Sequence, residues 1–302
     1  MGVITTGSHP RELWPGVKTW FGQVINELPK EYAEIYEELP SEKAYELDVE
    51  SYSFGLAVEK EQTKSFTYDE HKQGYEVKYM HSLWGLGYIV SYEELKDNLY
   101  EKTSFKRARM LAISLNQTKE INGALPFNVA FDATGNPFAD GVALCSASHP
   151  TPAGNQSNVL ANNADFSEAA VEDMVIQIGL MQNNRGLIAN TRPKKIIVHM
   201  NDRFNAERVF GSPLTTTDNG NAINVVRKLP DLDWMVSHFF TSTTAWFCQT
   251  DWPEGGFTLY QREGVQFAQD NDGDTMNAKA KSWERYKFGI SDFRGVLGSA
   301  GA

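Results

Sequence analysis

Two stretches of alternating apolar residues constrain this chain more than any other feature. In the first, Tyr45, Leu47 and Val49 alternate with polar neighbours, the phase slips by one, and Tyr52, Phe54, Leu56 and Val58 continue it. After a polar stretch, EKEQTKSFTYDEHKQG, the pattern returns at Tyr75, Val77 and Tyr79, slips near Trp84–Gly85 and resumes at Leu86, Tyr88 and Val90. A period of two marks β-strands, and one extra residue swaps a strand's faces, as a bulge does. The spacing predicts a long antiparallel hairpin over 46–90 with a charged tip near 59–73. About 15 residues per strand at ~3.3 Å each reach about 50 Å, more than a small domain is wide. A two-stranded ribbon alone is marginal in water, because no third layer covers its apolar face. Either the ribbon folds back on its own domain or another molecule covers it, and periodicity does not choose.

Helical spacing surrounds the ribbon. Val17, Trp20, Phe21, Val24 and Leu28, then Tyr32, Ile35, Tyr36 and Leu39, predict two short amphipathic helices, interrupted at Pro29 and ended near Pro40. Ser91 and Glu94 form a capping-box pattern. From there one apolar stripe runs through Phe105, Ala108, Leu111, Ala112 and Leu115 to about residue 122, where Gly123 and Pro126 mark the expected stop. Asp165 or Ser167 caps a further helix, expected to end at Gly186. KKIIVHM at 194–200 reads as a buried strand, followed by a short helix to about 210. Strands near 234–240 and 244–250 flank TSTT, and the last fifty residues alternate strands and turns. The order is α+β and not a repeating βαβ unit.

Charge and composition limit the function classes. The 302 residues are 41% hydrophobic and 22% charged, enough to bury a sizeable core. No window approaches the roughly 18 apolar residues that span a bilayer, and no signal-peptide pattern opens the chain. Cys145 and Cys248 make neither a disulfide framework nor a metal spacing. A net charge of −11 argues against tight nucleic-acid binding, which draws its affinity from phosphate neutralisation. Much of the excess lies between Glu27 and Glu50, as a solvated face or as a segment that docks on a neighbouring chain.

Candidate chemistry is sparse. ALCSASHPTPAGNQSN at 143–158 packs Cys145, Ser146, Ser148 and His149 together, which raises a hydrolase. A nucleophile elbow, however, needs flanking glycines and a following helix, and Pro150 and Pro152 forbid the helix. The expectation is a surface loop with Cys145 half-buried beside it. Asp270, Asp272 and Asp274 occupy the first ligand positions of a calcium loop. Gly273 falls at position four and Lys281 at twelve, so a hairpin turn is the better reading. His199 sits in an apolar strand, and no nucleotide-binding loop is present. The residues specify no catalytic, cofactor or metal site.

Three segments carry a resemblance. GLGYIVSYEELKDNLY leading into a long helix, the loop DGVALCSASHPTPAGNQSN, and ERYKFGISDFRGVLGSAG near the end resemble tailed-phage major capsid proteins of the Hong Kong 97-like fold, closest to the Mu-like major head subunits. The resemblance runs from about residue 45 to the end. It implies an N-terminal arm at 1–45, an extended loop at 46–90, a peripheral domain at 91–140 and 255–302 with a spine helix at 91–124, and an axial domain at 141–254. It implies a structural protein that assembles with itself into hexamers and pentamers of an icosahedral shell in the virion, built in the host bacterial cytoplasm. The packaged double-stranded DNA would be held only weakly. A separate scaffolding protein is expected because the chain begins at Met1 without a preceding segment, along with a portal and possible decoration proteins; no membrane and no cofactor is expected. The expected inter-subunit contacts are Tyr52, Phe54, Leu56, Val58, Glu59, Lys60, Lys64, Phe66, Tyr68, Tyr75, Val77 and Tyr79. A same-fold bacterial nanocompartment shell is the nearest alternative, a hydrolase on Cys145, Ser148 and His149 the alternative of another class.

Overall fold

A computed structural model describes residues 10–96, 100–215, 222–229, 231–253, 256–273, 275 and 277–302. Its elements begin with helices α1 (Pro10–Glu27) and α2 (Tyr32–Ile35) and strands β1 (Glu37–Pro40), β2 (Tyr45–Ser51), β3 (Gln73–Met80) and β4 (Ser82–Val90). Helices α3 (Tyr92–Lys96) and α4 (Tyr100–Asn128) follow, then strands β5 (His149–Thr151) and β6 (Gly154–Gln156) and helix α5 (Glu168–Gly179). The chain continues with β7 (Pro193–His199), α6 (Arg203–Gly211), β8 (Asp233–Ser237) and β9 (Trp246–Thr250). It closes with β10 (Phe257–Asn271), β11 (Ala278–Ile290) and β12 (Val296–Ser299). Two compact units result, one of residues 1–46, 80–123 and 259–288, the other of 47–79, 124–258 and 289–302.

The first unit is a four-stranded sheet in the order β1-β10-β11-β4 with helices on one face. Alternation on β11 explains the layering. Ala278, Ala280, Ser282, Glu284, Tyr286 and Phe288 are buried, while Lys279, Lys281, Trp283, Arg285 and Lys287 point the other way. The α1 stripe of Phe21 and Val24 meets Ala108, Leu111, Ala112 and Leu115 of α4 over Val265 and Phe267. Phe21 stacks on Phe267 with ring centroids 4.9 Å apart. Buried beneath, Lys119 donates to Glu284 at 3.1 Å and to Gln261 at 2.7 Å. Its ammonium also lies 5.0 Å from the rings of Tyr32 and Tyr286.

The helix ends differ from their expected places, each for a packing reason. Ser91 does accept from the Glu94 N–H at 3.3 Å, but Glu94 turns to Arg107, 2.7 Å away, instead of closing the capping box. Helix α4 runs past Gly123 and Pro126 to Asn128. Gly123 is an approach point and not a stop: a Cβ there would lie 3.1 Å from Tyr32 Cβ and 3.3 Å from Phe288 Cζ. The Tyr36 hydroxyl donates to the Gly123 carbonyl at 2.8 Å. The second expected helix near 32–39 shrinks to one turn: Glu120 satisfies the Glu31 and Tyr32 N–H groups at its start, and past Ile35 the chain extends as β1.

In the second unit, β12-β9-β7-β8 form a mixed sheet. The strands flanking TSTT do not pair with each other; β7 lies between them, parallel to β8 and antiparallel to β9. The β7–α6–β8 crossover supplies the parallel pair of this sheet. Ser167 is the N-cap of α5, accepting from Ala170, and the helix ends at Gly179 rather than Gly186. Val171, Met174 and Ile178 of α5 pack on Ile196, Val198, Trp246 and Cys248.

The long ribbon is corrected most. Strands β2 and β3 do pair, but only over Tyr45–Ser51 and Gln73–Met80, and residues 52–72 form no strand. The break in phase falls at His81, after which β4 leaves the ribbon and pairs with β11, Val90 opposite Ala278 and Leu86 opposite Ser282. Alternation could not distinguish one long strand from two short ones that serve different sheets. The acidic stretch is likewise not simply solvated: Glu50 is buried and Ser41 donates to Glu46 at 2.8 Å.

Candidate assembly surface

The root of the excursion at 52–72 is anchored within the second unit. Arg294, 1% exposed, pairs through Nη1 with Glu50 and Asp292, both at 3.1 Å. Its Nε donates to Gln156 Oε1 and to the Gln182 carbonyl, and its other Nη to Asn184. Two carboxylates around one guanidinium are thus buried together, and burial, with Asp292 alongside, raises the Glu50 carboxyl above its ordinary range. Ser291 donates to Asp48 at 2.6 Å and contacts the Tyr79 hydroxyl at 3.2 Å. Beyond the root, Arg185 clamps both limbs, donating to the Ser53 and Glu70 carbonyls and to Asp69 at 3.0 Å. Asp69 also accepts from the Gly55 N–H, which with Arg185 holds its carboxyl below the usual range.

The expected contact residues separate into two groups. Phe54, Leu56, Val58, Phe66 and Tyr68 are between 60% and 87% exposed, and Glu59, Lys60 and Lys64 are exposed with them. Lys60 lies 4.9 Å from the Phe66 ring. Tyr79, by contrast, is buried, and Tyr52, Tyr75 and Val77 are half-buried, Tyr75 with its ring edge-on to Phe138. The exposed apolar surface is greatest at the tip and continues along the ribbon at Tyr45, Leu47, Val49 and Met80, which are 40–65% exposed. Exposed large apolar side chains in this number are far from the scattered single residues of an ordinary monomer surface.

The loop at 143–158 is structural. His149 is fully buried, its Nδ1 2.5 Å from Asp140 Oδ2 and its Nε2 3.0 Å from Asn158 Oδ1. Asn158 Nδ2 donates to the carbonyls of Leu144, Phe293 and Val296, which fixes Oδ1 as an acceptor. Both ring nitrogens are therefore engaged by Asp140 and Asn158 rather than by a serine or a thiol. The ring stacks on Phe293 at 3.9 Å. Cys145 is buried and not half-buried as expected, and burial pushes its thiol well up, out of the reactive range. Ser148 is exposed, and its backbone N–H donates to Ser146 Oγ at 3.3 Å. The hydrolase alternative fails on this geometry.

Asp274 of the calcium-loop pattern lies outside the described residues, and Asp272 pairs with Lys279 at 2.7 Å. His199 is half-buried and accepts from the Asn201 N–H as a helix cap. Among the described residues no helix is long and apolar enough to cross a membrane, and no cluster of metal-ligating side chains occurs.

Comparison with known proteins follows these features. No curated protein matches the sequence. The family model described as phage capsid protein matches residues 78–298. Among solved structures, a chain of Microbacterium phage Oxtober96 superposes with a TM-score of 0.53 at 9% identity, over 90% of each chain. The capsid of a native GTA particle gives 0.52 at 12% identity, over 100% of this chain and 93% of the other. A chain of Mycobacterium phage Che8 gives 0.51 at 13% identity, over 93% and 92%. These likenesses place the fold in the Hong Kong 97-like capsid class. The chain belongs to the phage capsid protein family: it is a structural major capsid protein of the virion, self-assembling into an icosahedral shell, and not an enzyme.

Proposed function

We propose that the chain forms the hexamers and pentamers of a shell that encloses double-stranded phage DNA, as a member of the Mu-like major head group. The observation that carries this reading is the apolar tip at 52–72, which exposes Phe54, Leu56, Val58, Phe66 and Tyr68. Such a surface is stable in water when a neighbouring subunit covers it. In this reading residues 1–45 are the arm and 46–90 the extended loop, whose last strand, β4, joins the β11 sheet. Residues 91–140 and 255–302 form the peripheral domain, with its spine at 91–124, and 141–254 the axial domain. Residues 289–302 also pack with the second unit through Asp292 and Arg294, so the tail joins its peripheral strands to axial segments.

A separate scaffolding protein, a portal and decoration proteins complete the assembly in the bacterial cytoplasm. The net charge of −11 favours a wall along which packed DNA slides instead of sticking. Expression of the chain followed by size-exclusion and electron microscopy tests the reading. Closed particles or capsomers are expected, and a compact monomer that never assembles would sink it. Particles that protect protein cargo but no nuclease-resistant DNA, even when formed with the packaging machinery, would point to a nanocompartment instead.

A further inference from the structure

His81 is the single residue between β3 and β4, where the chain leaves the two-stranded ribbon for the four-stranded sheet. Its ring closes a short relay. Nε2 lies 3.0 Å from Ser41 Oγ, and Ser41 donates its one hydroxyl proton to Glu46 Oε1 at 2.8 Å. Ser41 can therefore only accept from the ring, so Nε2 carries the hydrogen and Nδ1 the lone pair. The relay ties together the β1–β2 connection, the start of β2 and the end of β3. Ser41 is also fixed through its backbone. Its N–H donates to the Gln261 carbonyl at 3.0 Å, and its carbonyl accepts from Arg262 at 3.1 Å.

The other ring nitrogen makes this arrangement conditional. Nδ1 is buried and, among the described residues, has no hydrogen-bond partner. A proton arriving there would add a buried donor without an acceptor, and a positive charge with it. The charged groups that face the ring are Arg285 of β11, Glu46 of β2 and Arg262 of β10, and Lys43 pairs with Glu46 at 3.4 Å. Two guanidinium groups oppose an imidazolium, and the one carboxylate that favours it is met through Ser41. Burial first, then Arg285, hold the imidazole below its ordinary range; Glu46 pulls the other way and Arg262 adds to the depression. A flipped ring sets a carbon against Ser41 and breaks the relay.

We propose that His81 is a proton-operated clasp on the root of the β2–β3 ribbon. Neutral, the ring holds Ser41 and, through it, Glu46. Protonated at Nδ1, it gives up the buried position, and residues 41–46 and 80–82 loosen together. The excursion at 52–72 hangs from this ribbon, so acid frees its root. The sign follows from linkage. An open root carries an ordinary imidazole near about 6.5, and the closed root binds the proton less readily. Closure is at full strength above about pH 6.5 and weakens as pH falls through the closed-state value. The clasp belongs to the chain's own fold and does not rest on the shell reading.

Hydrogen–deuterium exchange of the full chain at pH 7.5 and pH 5 tests it, with His81→Gln as the comparison. The Gln amide can donate to Ser41 as the ring does, and it does not titrate. The measure is the exchange rate of the wild type divided by that of His81→Gln, in peptides covering 41–46 and 80–82. From pH 7.5 to pH 5 this ratio should rise at least about threefold, up to the roughly 30-fold that an imidazole at 6.5 permits. The same ratio in peptides from α5 should not move. Arg285→Gln removes an opposing charge and should shrink the acid response, because the closed imidazole then takes its proton more readily. A ratio that stays constant overturns the proposal, as does an equal rise in α5 or an undiminished response in Arg285→Gln. If His81→Gln does not fold, the comparison of Arg285→Gln with the wild type decides alone. Failure of the chain to form shells leaves each of these outcomes unchanged.

Discussion

Arg294 and Glu50 stand 244 positions apart in the chain and form an ion pair 3.1 Å long, with side chains 1% and 5% exposed. The pair ties the root of the extended loop to the C-terminal segment inside one unit. Removing Arg294 leaves Glu50 and Asp292 buried and unbalanced, which by the usual scale destabilises by about 3–5 kcal/mol. Arg294→Ala is expected to lose that much in urea unfolding of the unassembled chain. Arg294→Lys recovers only part, since an ammonium cannot reach Gln156, Gln182 and Asn184 together. Equal stability of the two variants would contradict the account.

Lys119 and Glu284 make a second buried pair, with Gln261 as a further partner. Lys119→Met strands Glu284, whose carboxyl burial already raises, and is expected to cost about 3–5 kcal/mol. The double variant Lys119→Met with Glu284→Leu removes both charges and should recover most of the loss. A double variant as unstable as the single one would show that the rings of Tyr32 and Tyr286 need the cation itself.

Glu120 gives a pH dependence of definite sign. Burial pushes its carboxyl from 4.5 up to about 7, against the two backbone N–H groups it accepts. The folded chain then holds the proton more tightly than the unfolded chain does. This contribution is complete below about pH 4.5 and is lost as pH rises through about 7. The stability of the wild type relative to Glu120→Gln should fall by on the order of 3 kcal/mol across that window. Unfolding curves at pH 4.5, 6 and 8 read it, and a constant difference would refute the assignment.

Asn158 organises the loop that carries Cys145 and His149. Asn158→Ala removes three donations to buried carbonyls and the acceptor for His149, a loss of about 2–4 kcal/mol. Ser148→Ala changes an exposed hydroxyl and is expected to stay within about 0.5 kcal/mol with assembly unimpaired. Thermal melts of both variants, with micrographs of the second, check the contrast.

Local pattern made several elements legible. Leu111, Ala112 and Leu115 announced α4 through their 3.6-residue spacing, and KKIIVHM announced β7 through its unbroken apolar run. The exposed tip residues Phe54, Leu56 and Val58 were also marked by alternation. The same alternation misplaced β4, because a period of two reports faces and not partners. Nothing near Arg294 or Glu50 in sequence points to the other, since a buried ion pair leaves no local period. The Asp140–His149–Asn158 arrangement was hidden for a similar reason: a cluster of reactive residue types looks alike whether it serves catalysis or fills hydrogen bonds.

The amino-acid order by itself determined which faces are apolar and that helices begin at Ser91 and near Ser167, because those depend on neighbours within a few residues. Tertiary structure alone decided that β4 leaves the ribbon for the β11 sheet, that β7 separates the strands around TSTT, and that Arg294 closes on Glu50. Those outcomes depend on which distant surfaces bury most area and satisfy buried charge together, a competition among whole-chain arrangements that no short stretch of sequence encodes.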